Sequence, residues 1–172
     1  MRIGFGYDSH RFETAPTGKP LVLGGVIFPS ERALVAHSDG DVVVHALIDA
    51  LLGAAAKGDI GSHFPDTDER WRNADSLKLL AQVVRELSAE GFYPGNIDIT
   101  IICERPKIGQ KVSAMKTSIC EVFNRALAGA RAFPEFNLSI KGKTAEGLGD
   151  IGKGLGIEVH AVCLLKERDD EK

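Results

Sequence analysis

Five stretches of the chain have the short apolar patterns that are typical of β-strands. In the first stretch Ile3, Phe5 and Tyr7 alternate with glycines, so their side chains lie on one face of the predicted strand. The glycine pair Gly24-Gly25 interrupts the second stretch. The predicted strands cover residues 2–7, 21–28, 96–103, 138–143 and 156–166.

Three longer stretches predict α-helices. Residues 42–57 are strongly apolar and alanine-rich, and they follow Ser38-Asp39-Gly40-Asp41, whose oxygens suit a helix N-cap. Asp75 precedes a second stretch with apolar residues at helical spacing, and a third begins soon after Pro106. The element order β-β-α-α-β-α-β-β predicts an α/β fold in which helices pack on one face of a mixed sheet.

The length and composition of the chain predict one globular domain that covers residues 1–172. A chain of 172 residues suits a single hydrophobic core, and 44% apolar with 26% charged residues is an ordinary soluble balance. The formal net charge of −3 argues against nucleic acid or an anionic membrane as a partner. The sequence shows no signal-peptide pattern and no apolar run of about 18 residues, so no membrane segment is expected.

The cysteines also bear on the location of the protein. Cys103, Cys120 and Cys163 are widely spaced and form no CxxC pair. This pattern predicts three buried thiols in a reducing compartment rather than a metal or redox site. The cytoplasm is therefore the expected location.

Candidate metal ligands lie at the end of the first strand and on the first helix. Asp8 and His10 are two residues apart, so a strand would point both side chains to the same side. His45 on the helix can complete a set of two imidazoles and one carboxylate, which leaves one zinc position open, as catalytic sites do. The D-x-H pattern is short, and its spacing alone favours a surface aspartate with two ordinary histidines.

The first helix carries two further signals. Asp41, His45 and Asp49 are four residues apart and form a polar stripe, whose carboxylates either orient the imidazole or face solvent. His37 and Ser38 lie just before the same helix, and free backbone N–H groups at a helix N-terminus favour a phosphate there.

Two loops complete the candidate chemistry. Residues 58–68 are acidic and interrupted by glycine and proline, which suits either a solvated loop or acceptors for sugar hydroxyls. Residues 141–149 combine lysines, Thr144, Glu146 and glycines, and such a segment can cradle a diphosphate and hold a divalent ion through Glu146. It is not a P-loop, because the order of residues differs.

Taken in order, these segments closely resemble the 2-C-methyl-D-erythritol 2,4-cyclodiphosphate synthase family of the non-mevalonate isoprenoid pathway. The resemblance spans essentially the whole chain, and so many ordered matches favour the metal triad over ordinary histidines. The most specific motifs are GYDSH at 6–10, AHSDGD at 36–41 with His45 after it, LLGAAAKGDIG at 51–61, FPDTD at 64–68, RPK at 105–107 and KTAEGLG at 143–149.

The resemblance implies a metal-dependent phosphorus–oxygen lyase. The 2-phosphate of 4-diphosphocytidyl-2-C-methyl-D-erythritol 2-phosphate would attack the β-phosphorus, which releases CMP and forms 2-C-methyl-D-erythritol 2,4-cyclodiphosphate. Such a transfer depends mainly on positioning and charge neutralisation. The implied roles are one zinc ion per chain on Asp8, His10 and His45, a magnesium or manganese ion on Glu146, and transition-state stabilisation by His37 and Thr144.

The same resemblance implies an extended set of substrate contacts. Asp59 and Gly61 would meet the ribose, the loop 64–68 would meet the methylerythritol part, and residues 103–109 with 143–145 would wrap the cytidine and its phosphates. The full set is Asp8, Ser9, His10, His37, Ser38, Asp59, Ile60, Gly61, Phe64, Pro65, Asp66, Thr67, Asp68, Cys103, Glu104, Arg105, Pro106, Lys107, Ile108, Gly109, Lys143, Thr144, Ala145 and Glu146.

The family fold is an α/β sandwich that assembles as a homotrimer with active sites between subunits. Its central cavity can hold an isoprenoid diphosphate, but this chain departs from the family there. Asp150 stands where an aromatic residue is usual, and Lys153 stands where an arginine is typical. Lysine keeps the charge and loses the bidentate geometry, so binding of this ligand stays open.

Two other functions fit the same residues. In a metal-dependent phosphohydrolase, zinc-bound water would attack the phosphate and give linear products. The other candidate is a trimeric module that only binds a nucleotide or an isoprenoid. The metal triad with His37 and Thr144 argues against it, since binding alone requires no open metal site.

Overall fold

A computed structural model describes residues 1–15, 17–29, 32–36, 38–71, 74–127 and 132–167. The strands are β1 (Arg2–Arg11), β2 (Leu21–Leu23), β3 (Val26–Phe28), β4 (Phe92–Ile102), β5 (Leu138–Lys143) and β6 (Gly156–Glu167). The helices are α1 (Val42–Ala54), α2 (Ile60–His63), α3 (Ser76–Ala89), α4 (Val112–Ala126) and α5 (Gly149–Gly152).

Four strands form a mixed sheet in the order β1-β6-β4-β5. Strand β6 runs antiparallel to β1 and β4, whereas β4 and β5 are parallel. The register aligns Asp8 with Val159, Val159 with Ile101, and Ile101 with Gly142. Because adjacent strands lie about 4.8 Å apart, the two ends of this row are about 14 Å apart. The predicted mixed sheet is confirmed.

The helices cover one face of this sheet, as the sequence predicts. Ile97, Ile99 and Ile101 of β4 point into the buried layer, where α3 and α4 pack against β4 and β5. Helix α1 lies directly on β1, because that strand presents Gly4 and Gly6 to it. A Cβ atom on Gly6 would lie 1.9 Å from the Ala46 carbonyl oxygen, so no other residue fits this approach.

The opposite face of the sheet is open in the single chain. The alternating residues of β1 that do not face α1 are exposed: Ile3 is 75% exposed and Phe5 is 61% exposed. Tyr7 and Val162, on β1 and the neighbouring β6, are also exposed. The shared face predicted for Ile3, Phe5 and Tyr7 is therefore real, and it is the outer face.

The element bounds differ from the prediction at several places. Strand β1 extends to Arg11 rather than residue 7, the predicted strand 21–28 is the hairpin β2–β3, and α4 begins only at Val112. Helix α1 ends at Ala54 rather than at residue 57, because Ala56 (φ 58°) and Gly58 (φ 83°) adopt left-handed backbone. Strand β4 begins at Phe92 and tolerates Pro94 through an irregular register with β6. The one-turn helices α2 and α5 carry too few residues for a periodic signal. Among the described helices, none combines the length and apolarity that a bilayer crossing requires.

Candidate functional site

Asp8, His10 and His45 come together at the end of β1 and form a cluster of side chains suited to a metal ion, the metal group. Oδ2 of Asp8 lies 3.2 Å from Nε2 of His10 and 3.1 Å from Nδ1 of His45. Two ligand atoms about 2.0 Å from a tetrahedral zinc are about 3.3 Å apart, so both distances fit such a site. In the described part of the chain no other cluster of three such side chains occurs.

The backbone places these ligands for simple reasons. Asp8 and His10 alternate along β1 and therefore share a side of the strand. The close approach of α1 to Gly6 brings His45 over the end of β1, one residue before the contacting carbonyl of Ala46. All three ligand side chains are partly buried.

The ring nitrogens that face away from Asp8 both have hydrogen-bond partners. Nδ1 of His10 donates to the Val35 carbonyl at 2.9 Å, which leaves Nε2, the nitrogen that faces Asp8, available to a metal ion. Nε2 of His45 lies 2.9 Å from Oγ of Ser76, and this hydroxyl in turn donates to Asp39. Partners of this kind orient metal-bound imidazoles in proteins, so the donor set fits a zinc ion.

The charges of the triad support one another. Burial opposes ionisation of Asp8, but hydrogen bonds and charges from His10 and His45 outweigh it and hold the pKa of Asp8 well below its ordinary value. The hydrogen bond to Asp8 raises the pKa of His10, while burial acts in the opposite direction. The site therefore keeps an anionic oxygen between two imidazoles, an environment that suits a cation.

The carboxylates of the polar stripe form no hydrogen bond with the His45 ring, whose Nδ1 faces Asp8 and whose Nε2 faces Ser76. Asp41 is fully buried, caps α1, and accepts N–H groups of Gly24 at 2.8 Å and Gly25 at 2.6 Å. Burial raises the pKa of Asp41, and its backbone donors counteract this rise. Asp49 accepts the N–H of Ile60 at 2.7 Å and so fixes the start of α2. The solvated alternative is wrong for Asp41.

A cavity of about 370 Å³ adjoins the metal group. It is lined on one side by His10, Ser38 and His45, and on the other by the 60–66 loop. Asp59 caps α2 by accepting from Ser62, which fixes the start of this loop. The loop residues that line the cavity are Ile60, Gly61, Phe64, Pro65 and Asp66.

The rest of the 64–68 motif lies beside this cavity. Thr67 is exposed, and Asp68 pairs with Arg70 in a bidentate contact. Trp71 also lines the cavity and packs edge-on against Phe64 with ring centroids 5.0 Å apart. Sequence reasoning missed Trp71, and the only signal for it was an aromatic residue soon after the acidic loop. The backbone N–H of Ser9 donates to Oδ1 of Asp8 at 2.8 Å.

A second cavity of about 400 Å³ lies at the far edge of the sheet. This cavity is lined by residues of both segments that the family resemblance assigns to the cytidine and its phosphates. Thr144 donates to Glu146, and Glu104 accepts the N–H of Ala145 at 3.1 Å, so the carboxylate of Glu104 joins the two segments. Arg105 is exposed next to this cavity. The lining residues are Cys103, Pro106, Lys107, Ile108, Gly109, Gly142, Lys143, Thr144 and Glu146.

The two cavities do not meet within one chain. The metal group lies at the β1 edge, whereas Thr144 directly follows β5 at the opposite edge. Among the sequence-predicted site residues, His37 lies outside the described residues. Lys153, one of the departures from the family, directly follows α5 and pairs with Asp150 at 3.3 Å, and both side chains are exposed.

Known proteins that resemble this chain belong to the family that its sequence motifs indicate. The model of the YgbB family matches residues 1–166. The 2-C-methyl-D-erythritol 2,4-cyclodiphosphate synthase of Nitrosococcus oceani is 52% identical over 97% of this chain and 99% of its own length. The synthase of Symbiobacterium thermophilum is 51% identical over 98% of this chain and 100% of its own length.

A solved structure agrees with these relatives. The CDP-bound form of a 2C-methyl-D-erythritol-2,4-cyclodiphosphate synthase superposes with a TM-score of 0.82 at 38% identity. The match covers 96% of this chain and the whole of the solved one. The sequence, the fold and the metal group lead to the same assignment: the chain belongs to the YgbB family.

Proposed function

We propose that the chain converts 4-diphosphocytidyl-2-C-methyl-D-erythritol 2-phosphate to 2-C-methyl-D-erythritol 2,4-cyclodiphosphate and releases CMP. The observation that carries this proposal is the metal group that opens directly into the cavity beside the 60–66 loop. A substrate phosphate can thus meet a cation while the sugar part occupies the cavity. The full-length identity to synthases supports the same reaction.

In this proposal Asp8, His10 and His45 hold one zinc ion per chain. When bound, the ion would act as a Lewis acid that stabilises negative charge on the phosphoryl oxygens. The Asp8 carboxylate supplies the anionic ligand, and Val35 and Ser76 hold the two rings in place. Glu146 is an exposed single carboxylate, which is the usual protein share of a magnesium or manganese site that uses substrate phosphates as further ligands.

Other residues of the chain bind and orient the substrate. Asp59 with Gly61 would receive the ribose, and Phe64 with its loop would shield the methylerythritol part from water. Thr144 and His37 are the proposed donors to the phosphoryl oxygens in the transition state, where a well-placed donor is worth about 10²–10³ in rate. The cavity that contains Cys103, Lys107 and Lys143 would take the cytidine and its phosphates.

A homotrimer would bring the two groups of residues together. The metal group and Thr144 lie at opposite edges of one sheet, and a cyclic trimer places unlike surfaces of neighbouring copies in contact. The exposed apolar residues Ile3, Phe5 and Val162 on the open face of the sheet also support burial against other copies. The domain of residues 1–172 would thus be one third of an enzyme with three shared sites.

The products of the reaction test the proposed activity. The purified protein, loaded with zinc and magnesium, is incubated with the cytidine substrate, and phosphorus NMR follows the products. A cyclic diphosphate and an equal amount of CMP support the synthase. Linear phosphates would support the phosphohydrolase instead, and an unchanged substrate that still binds would support a binding module.

Mixing two inactive variants tests the shared site. His45→Ala removes a metal ligand, and Thr144→Ala removes a group from the other cavity. When both are unfolded and reassembled together, a neighbour pair with an intact triad and an intact Thr144 arises at about one interface in four. Recovery of about a quarter of wild-type activity supports a site shared between neighbouring copies. Mixed assemblies without any recovered activity would refute it.

A further inference from the structure

Ser76, which is buried, and Asp39, which is partly buried, form a hydrogen-bonded chain behind the metal group. Ser76 is the first residue of α3, is fully buried, and lies 2.9 Å from Nε2 of His45 through its hydroxyl. Its hydroxyl donates to Oδ1 of Asp39, and its backbone N–H donates to Oδ2 of the same carboxylate at 2.9 Å. Ser38 is a weaker neighbour of the imidazole, because its oxygen is 3.4 Å from Nε2.

The protons in this chain can be assigned from the donors and acceptors present. A serine hydroxyl has one proton, and Ser76 gives it to Asp39, whose carboxylate oxygens only accept. The hydroxyl oxygen of Ser76 must therefore accept a proton from Nε2 of His45. A neutral imidazole with its proton on Nε2 can bind a metal ion through Nδ1, and Nδ1 is the atom that faces Asp8.

The Asp39 carboxylate is itself fixed in place. Besides the two bonds from Ser76, it accepts the N–H of Asp41 at 3.2 Å. The backbone N–H of Asp39 bonds to the Ala74 carbonyl at 3.3 Å. The turn before α1 is thus tied to the start of α3, and rotation of the carboxylate would break bonds to the backbone.

We propose that Asp39 and Ser76 are positioning residues that hold His45 in the tautomer able to bind the metal. The inference rests on the zinc site of the proposed function and goes beyond it, since it identifies what prepares the ligand. Both residues act through His45 and touch neither the metal nor the substrate. The expected effect is therefore on metal affinity first.

Asp39→Asn separates this role from a merely structural one. An amide has one accepting oxygen and one donating nitrogen. If the oxygen keeps the Ser76 N–H, the amide nitrogen donates to the Ser76 hydroxyl, and that hydroxyl must then donate to Nε2 of His45. The proton of the imidazole would move to Nδ1 and block the metal-binding atom. A side chain of the same size thus reverses the direction of the chain and also loses the oxygen that accepts the Asp41 N–H.

The experiment measures zinc affinity by competition with a chromogenic chelator, and so does not depend on turnover. Ser76→Ala should weaken zinc binding about 10-fold, and Asp39→Asn should weaken it by up to about 100-fold. Asp75→Ala is the matched control. Asp75 is the adjacent, exposed N-cap of α3, and its removal loosens the helix start without touching the Ser76 hydroxyl. We expect the zinc affinity of this control to stay within twofold of wild type.

A spectroscopic measurement on the wild-type protein gives an independent answer if a variant does not fold. In the zinc-loaded protein with ¹⁵N-labelled histidine, His45 should carry its proton on Nε2, and this proton should exchange slowly with water. A proton on Nδ1 of His45 would overturn the inference. So would unchanged zinc affinity in both variants, or an equal loss in Asp75→Ala. A wild-type protein that binds no zinc would overturn the metal site itself.

Discussion

Gly6→Ala tests whether the close approach of α1 to β1 builds the metal group. The substituted Cβ would lie 1.9 Å from the carbonyl oxygen of Ala46 and 2.6 Å from the backbone nitrogen of Ala50. Both neighbours are backbone atoms of α1, so no side chain can rotate away. The helix or the strand must move as a whole.

The size of this movement follows from the contact distances. Side-chain Cβ atoms almost never come within 3.0 Å of another heavy atom, so α1 must retreat from β1 by about 1.1 Å in a densely packed interior. His45 moves with the helix, whereas Asp8 stays on the strand. A zinc site tolerates ligand displacements of only about 0.2 Å, so the triad would no longer fit the ion.

The same displacement also costs stability. Overpacking of a well-packed core typically costs about 1–3 kcal/mol, and a backbone clash belongs at the upper end of that range. In a domain of this length, a loss of about 3 kcal/mol lowers Tm by roughly 6–12 °C. Gly6→Ala should therefore lose most of its zinc and unfold at a clearly lower temperature.

The assay combines metal analysis with thermal unfolding of the zinc-loaded protein, and Gly53→Ala is the control. Gly53 lies on the same helix, and a Cβ there would meet nothing closer than the Phe5 carbonyl oxygen at 3.8 Å. An alanine in a helix interior should raise stability by about 0.5–1 kcal/mol and leave the zinc content unchanged. If Gly6→Ala kept full zinc and a wild-type Tm, the link between helix contact and metal site would be wrong.

Three further predictions follow from single residues. Asp41→Asn should lower the free energy of unfolding by about 1–3 kcal/mol in urea denaturation, because one buried N–H of the Gly24–Gly25 turn loses its acceptor; an unchanged midpoint would contradict this. Burial raises the pKa of the Cys163 thiol to about 12, so iodoacetamide at pH 8 should label Cys163 only after unfolding, and rapid labelling in the native protein would refute it. Thr144→Ala should keep zinc and fold while kcat falls about 10²–10³-fold, and wild-type turnover would remove Thr144 from the proposed chemistry.

Much of the fold could be predicted because it follows from local periodicity. The apolar alternation in β4 and the helical spacing in α3 gave the right element types. Their exact ends could not be predicted, since they depend on backbone detail. Ala56 adopts a left-handed conformation that ends α1, although its sequence neighbourhood is alanine-rich and favours a longer helix.

The site could be predicted only where its residues lie on the same strand or helix. Asp8 and His10 share one strand, so their proximity follows from a spacing of two residues. Ser76 meets His45 across 31 positions, and this contact depends on how α3 packs beside α1. The spacing of Asp41 and Asp49 on the helix suggested that their carboxylates contact His45. Each carboxylate instead accepts a backbone N–H of another segment.

The alternation in β1 ties the metal group to the proposed assembly. On one face, Gly4 and Gly6 admit α1 so closely that His45 reaches Asp8. On the other face, Phe5 lies beside the His160 ring and is still 61% exposed. A shift of one residue in the register of β1 would turn Phe5 toward α1 and the glycines outward. That shift would destroy the helix contact, the metal group and the apolar outer face together. A two-residue repeat at the sheet edge therefore accounts for the ligand geometry and for the surface on which a second copy is proposed to pack.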